Sequence, residues 1–92
     1  MAPQQQCKVI YQGQVQGVGF RYTTVSIAHQ FQIFGYVRNL CDGSVELLVE
    51  GEQSEVNRFL TAIADTMSSY IAEIKIDRSE ATGEYREFSI RF

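Results

Sequence analysis

Apolar residues recur along this chain with two different periods. Residues 8–14, KVIYQGQ, set Val9 and Tyr11 against Lys8, Gln12 and Gln14, with Ile10 on the polar side, and this alternation predicts a strand. Residues 34–40, FGYVRNL, and 44–50, SVELLVE, predict two more. In the second of these, Val45, Leu47 and Val49 face one way, Glu46 and Glu50 face the other, and Gly51 is expected to break the strand. The Asp-Gly pair in the short CDG connection between them signals a hairpin. Residues 70–77, YIAEIKID, oppose Ala72, Ile74 and Ile76 to Glu73, Lys75 and Asp77; residues 86–92, REFSIRF, oppose Phe88, Ile90 and Phe92 to Glu87, Ser89 and Arg91. Two stretches switch to helical spacing. Val56, Phe59, Leu60, Ile63 and Met67 form a single stripe over 53–67. Val25, Ile27, Ala28 and Phe31 follow Phe20 at nearly helical spacing over 21–31, although the β-branched run Thr23, Thr24, Val25 leaves packing to hold that helix.

The predicted order is β-α-β-β-α-β-β. Helices with one stripe and strands with one apolar face bury both by stacking the helices on one side of a sheet. Right-handed crossovers then favour the split β-α-β arrangement. The fold class is therefore α+β, a ferredoxin-like sandwich with a mostly antiparallel five-stranded sheet and two helices on one face. The neighbour of the last strand stays open. The polar start MAPQQQ reads as a disordered tail over residues 1–6, which leaves 7–92 as a single domain, with RSEATGE as a polar loop between the last two strands.

Composition narrows the function. Ninety-two residues, 45% hydrophobic and 21% charged, make one ordinary globular unit. A net charge of −3 argues against a nucleic-acid partner, which needs a cationic footprint, but leaves room for a local anion site. Cys7 and Cys41 form no CxxC motif, so neither a disulfide framework nor a metal site is expected. The N-terminus lacks the apolar core of a signal peptide, and no apolar run approaches the ~18 residues of a membrane span. A cytoplasmic monomer without membrane partners is expected.

The stretch GQVQGVGFRYTT, residues 13–24, carries the first candidate chemistry. Gly17 and Gly19 flank Val18 between a strand and a helix, where they permit positive φ and let successive N–H groups converge on an anion. The helix start adds free donors, and Arg21 adds a planar fork matched to phosphate oxygens. A cation in a first turn opposes the helix dipole, which suggests a use. The spacing fits neither GxGxxG nor the P-loop, and a glycine-rich turn that only reverses the chain remains an alternative. Asn39 is the second candidate: asparagine is disfavoured in strands, and its carboxamide both donates and accepts. A polar residue satisfied by the hairpin turn is the plainer alternative.

Taken together, GQVQGVGFR (13–21) and GYVRNLCDGSVELLVEG (35–51) resemble the two signatures of the acylphosphatase family, and the likeness extends over nearly the whole chain to the ending FSIRF. The resemblance implies a hydrolase without metal or cofactor that cleaves the carboxyl–phosphate bond of acyl phosphates. It also implies that Arg21 grips the phosphate, that Asn39 positions the attacking water, and that the backbone N–H groups of Gln16, Gly17, Val18, Gly19, Phe20 and Arg21 line a phosphate cradle. Inorganic phosphate would be product and competitive inhibitor. Two positions depart from the family. Gln32 stands where many members have glycine after the first helix, so that helix is expected to end differently or to carry strain. Leu40 stands where some have threonine beside the asparagine, leaving Ser44 to supply a hydroxyl.

Asparagine cannot act as a general base, so a phosphate oxygen of the substrate is expected to take the proton. His29, placed mid-helix, is given no catalytic role, and Asp42 is read as a turn residue. Arg38 and Arg91 read as solvated cations, Cys41 as a tolerated loop thiol, and Tyr11 and Tyr36 as sheet packing. Two rivals stand beside the enzyme: a noncatalytic phosphate-sensing domain, and an RRM-like RNA-binding module, whose glycine-aromatic motif GVGFRY faintly echoes.

Overall fold

A computed structural model describes residues 4–92. Seven elements follow the predicted order: β1 (Gln4–Gly13), α1 (Phe20–Ala28), β2 (Ile33–Asn39), β3 (Val45–Glu52), α2 (Gln53–Thr66), β4 (Ile71–Glu80) and β5 (Phe88–Arg91). The sheet order is β4-β1-β3-β2-β5. β1 runs antiparallel to both β3 and β4, and β2 antiparallel to β3. The neighbour left open for the last strand is β2, and that pairing is parallel.

Both helices pack on one face. α1 lies over β2 and β5, and α2 over β3 and β1. Cys7, Val9, Tyr11, Val37, Val45, Leu47 and Val49 supply the sheet side of the core. Phe20, Ile27 and Ala28 from α1 meet them, with Val56, Phe59, Leu60 and Ile63 from the α2 stripe. Fully buried Phe59 touches aromatic rings of two other segments, Phe31 at 6.0 Å and Phe88 at 5.4 Å between centroids. Removing such a ring costs about 3–5 kcal/mol.

Arg78–Glu80, read as the start of the polar loop, belong to β4, and four further expectations change. First, the tail expected over 1–6 is strand from Gln4 onward; residues 1–3 lie outside the described residues. Gln5 and Gln6 pair with β3 on one side and β4 on the other, so the backbone of these polar residues is fully used. Second, α1 ends at Ala28, not 31. The chain leaves it through turns closed by Gln30 N–H to Ile27 O and Phe31 N–H to Ala28 O, and Gln32 carries no positive φ, hence no left-handed strain. Third, Gly51 does not break β3 but pairs with Gln5 and Ile33 inside it. A Cβ there would stand 2.9 Å from the Gln32 carbonyl oxygen, so a close backbone approach explains the glycine.

The fourth concerns the face without helices. Glu46 and Glu50 point there as expected, yet both are buried. Glu46 accepts from Tyr36 Oη at 2.9 Å and Arg38 Nε at 2.8 Å, with Lys8 Nζ at 3.8 Å. Glu50 accepts from Gln6 Nε2 at 2.6 Å, Thr82 N–H at 2.8 Å, Thr82 Oγ1 at 2.9 Å and Gly83 N–H at 3.0 Å. The segment 81–87 thus folds back over this face, and Tyr85 meets Tyr36 at 6.0 Å. Arg38 is accordingly no free solvated cation, and Arg91 stacks 4.0 Å from the Tyr36 ring. Burial, then the bond to Glu46, pushes the Tyr36 hydroxyl up to about 12. Among the described residues, no helix is long and apolar enough to cross a membrane.

Candidate active site

The glycine loop is pinned at both ends by its apolar residues. Val15 is fully buried, and Phe20 opens α1 with its ring 5.1 Å from that of Tyr11 in the core. Between them Gly17, Val18 and Gly19 stand exposed. Gly17 (φ 80°) and Gly19 (φ 75°) take the left-handed region that lets the amides turn outward.

Gly19 is the N-cap of α1, without a side-chain cap and without an acidic residue in the first turn. A serine or aspartate there would occupy one of the free helical donors. Here the first helix hydrogen bond runs from Thr23 N–H to Gly19 O. Among the described residues, no N–H from Val15 to Tyr22 donates to another group. A run of unfilled donors at the positive end of a helix is an anion receptor. Arg21 sits in that first turn and, among the described residues, makes no ion pair.

Asn39 ends β2. It pairs with core-facing Val45, so its side chain points to the helix side, as does that of Val37. Its Oδ1 is buried and has no hydrogen-bond partner among the described residues. A buried carbonyl oxygen without a donor costs about 1–3 kcal/mol, which marks the place where an outside donor belongs.

Two contacts bring loop and asparagine together. Gln16 Nε2 donates to Leu40 O and Ser44 O, each at 2.8 Å, and so ties the loop to the hairpin that follows Asn39. Arg21 stands with its guanidinium carbon 5.0 Å from the centre of the Phe92 ring. Because β5 pairs in parallel with β2 up to Arg38–Arg91, Phe92 follows at the level of Asn39. Arg21 and Asn39 therefore share one end of the sheet.

The remaining named residues fall outside this arrangement. His29 caps the far end of α1, exposed, rather than lying mid-helix. Asp42 is the turn residue expected, accepting from Ser44 N–H at 3.0 Å and Ser44 Oγ at 2.5 Å. Those bonds hold its carboxyl below the ordinary 3.8. The Ser44 hydroxyl is thereby directed to Asp42 and gives nothing to Asn39 Oδ1. Tyr11 and Tyr36 are buried packing residues. The GVGFRY stretch lies in a loop and a helix start, not on a central strand as an RRM requires. Sequence reasoning missed the Gln16 side chain; its partners are main-chain carbonyls in a distant hairpin, which leave no residue-type signal.

Known proteins resemble this chain over most of its length. The acylphosphatase family model matches residues 7–90. An acylphosphatase of Syntrophotalea carbinolica is 40% identical over 86 residues, covering 92% of this chain and 94% of that protein. One of Methanospirillum hungatei is 41% identical over 85 residues, covering 90% and 92%. The crystal structure of acylphosphatase from Bacillus subtilis matches with a TM-score of 0.88 at 34% identity, over 96% of this chain and 99% of that one.

Proposed function

The chain belongs to the acylphosphatase family and hydrolyses the carboxyl–phosphate bond of acyl phosphates, and from this premise we propose that Arg21 and the loop amides hold the phosphoryl group while Asn39 aims the water. The cradle comprises the N–H groups of Gln16, Gly17, Val18, Gly19, Phe20 and Arg21, with the Arg21 guanidinium on the same anion. The acyl carboxylate is a good leaving group, so the chemistry needs position and charge stabilisation rather than a strong acid. A water donates one hydrogen to Asn39 Oδ1 and turns its lone pair toward phosphorus. The water oxygen bonds to phosphorus as the P–O bond to the acyl group breaks, the carboxylate leaves with the electron pair, and the water's proton passes to a phosphoryl oxygen, giving inorganic phosphate.

The observation that carries this reading is the buried Oδ1 of Asn39, without a hydrogen-bond partner among the described residues, at the same sheet end as Arg21. Inorganic phosphate, the product, competes for the same cradle. Cys7 and Cys41 are both free thiols, the former buried, which supports a reducing, cytoplasmic address, and the net charge of −3 weighs against a nucleic-acid partner.

The test is Asn39→Ala assayed on benzoyl phosphate. The expected result is a fall in kcat of about a hundredfold or more with the phosphate inhibition constant kept within about twofold. Normal turnover by that variant would remove Asn39 from the mechanism.

A further inference from the structure

Gln16 does more than lend a backbone N–H. A primary amide has two hydrogens to donate, and both go to one hairpin, to Leu40 O and Ser44 O. These carbonyls stand on the two limbs of the turn between β2 and β3, which Leu40 N–H closes on Ser44 O at 2.9 Å. Leu40 directly follows Asn39, and Ser44 directly precedes Val45, the strand partner of Asn39. Among the described residues, Gln16 is the only hydrogen-bonded link between the glycine loop and this hairpin.

We propose that Gln16 is a positioning residue for hydrolysis: its amide sets the distance between the phosphate cradle and the carboxamide of Asn39. The inference rests on the water-aiming role given to Asn39 above. The cradle itself has other supports, buried Val15 and Phe20 and the two left-handed glycines. Loss of the clamp therefore leaves phosphate binding in place and lets the cradle drift relative to Asn39. An in-line attack tolerates such drift poorly; about 1 Å of misplacement costs up to about a hundredfold in rate.

The experiment is a double-mutant cycle in the full chain with benzoyl phosphate: Gln16→Met, Asn39→Ala and the pair. Methionine keeps the length of the side chain and removes the donors. Gln16→Ala, which adds no bulk, replaces it if the loop does not accept methionine. For the Gln16 variant, kcat is expected to fall about tenfold to a hundredfold while KM and the phosphate inhibition constant move less than about twofold. In the Asn39→Ala background the same change is expected to cost less than about twofold, because no aimed water is left to misplace. An unchanged kcat, a loss confined to KM and phosphate inhibition, or an equal loss in both backgrounds overturns the clamp. If Asn39→Ala alone turns over normally, the water-aiming role falls and the clamp with it; if Asn39→Ala is slow and the Gln16 loss persists in full on top, only the clamp falls.

Discussion

Two loops of this protein handle backbone N–H groups in opposite ways. The segment 81–87 turns Thr82 and Gly83 toward a carboxylate that the chain itself provides, Glu50. In the loop between β1 and α1, the N–H groups from Val15 onward meet no acceptor among the described residues. The first is an anion site filled at folding, and its product is stability. The second has the form of an anion site left open, and binding is the role proposed for it above. Similar left-handed glycines serve both, φ 75° at Gly83 and φ 75° at Gly19. What separates structure from function is therefore the acceptor, not the backbone conformation.

The largest effect is expected where the open loop adds its one cation. Arg21→Ala should lower kcat/KM on benzoyl phosphate by at least about a hundredfold and weaken phosphate inhibition, with the unfolding midpoint nearly unchanged. A large loss of stability instead would make Arg21 a structural residue and erase the contrast. In the filled loop the mirror experiment is Glu50→Gln, which keeps size and removes charge. Stability should fall by about 1.5–3 kcal/mol in urea titrations while kcat per folded molecule holds.

The same carboxylate predicts a pH dependence. Burial works against its charged form, but the bonds from Thr82 N–H, Gln6 and Gly83 N–H outweigh burial and hold it below the ordinary 4.5. A depressed carboxylate contributes stability that is full above its unfolded value and lost as pH falls through its folded one. The wild-type advantage over Glu50→Gln should thus be complete above pH 4.5 and shrink in more acid solution.

The smallest and sharpest comparison is Gly83→Ala against Gly19→Ala. A new Cβ meets nothing within 4 Å at either site, so each pays only the left-handed penalty of about 1–2 kcal/mol. Gly83→Ala should lower stability alone; Gly19→Ala should also raise KM and the phosphate inhibition constant.

The element order and the two motifs were legible because local pattern decides them: alternation for strands, the stripe for α2, the Asp-Gly turn, and the glycines before Arg21. What escaped depends on distant segments. Glu46 and Glu50 alternate like solvent-facing residues, yet Glu50 is taken up by Thr82 and Gly83 of the returning segment, and Glu46 by Tyr36, Arg38 and Lys8 from the neighbouring strands. Gln4–Gln6 are too polar to announce a strand, yet β3 pairs with all three and β4 with Gln5 and Gln6. Phe31 fits the helical spacing of α1 but reaches Phe59 from the turn beyond it. Ile74 and Ile76 alternate like core residues yet remain exposed, since β4 is an edge strand, beside β1.

The place of β1 in the sheet has a consequence for how the molecule is made. Its two flanking strands are drawn from residues 45–52 and 71–80, so β1 is synthesised well before either partner exists. The hairpin of β2 and β3 can close early, whereas the sheet is complete only when the last third of the chain has arrived. Such dependence on remote pairing slows folding and keeps an apolar strand uncovered meanwhile.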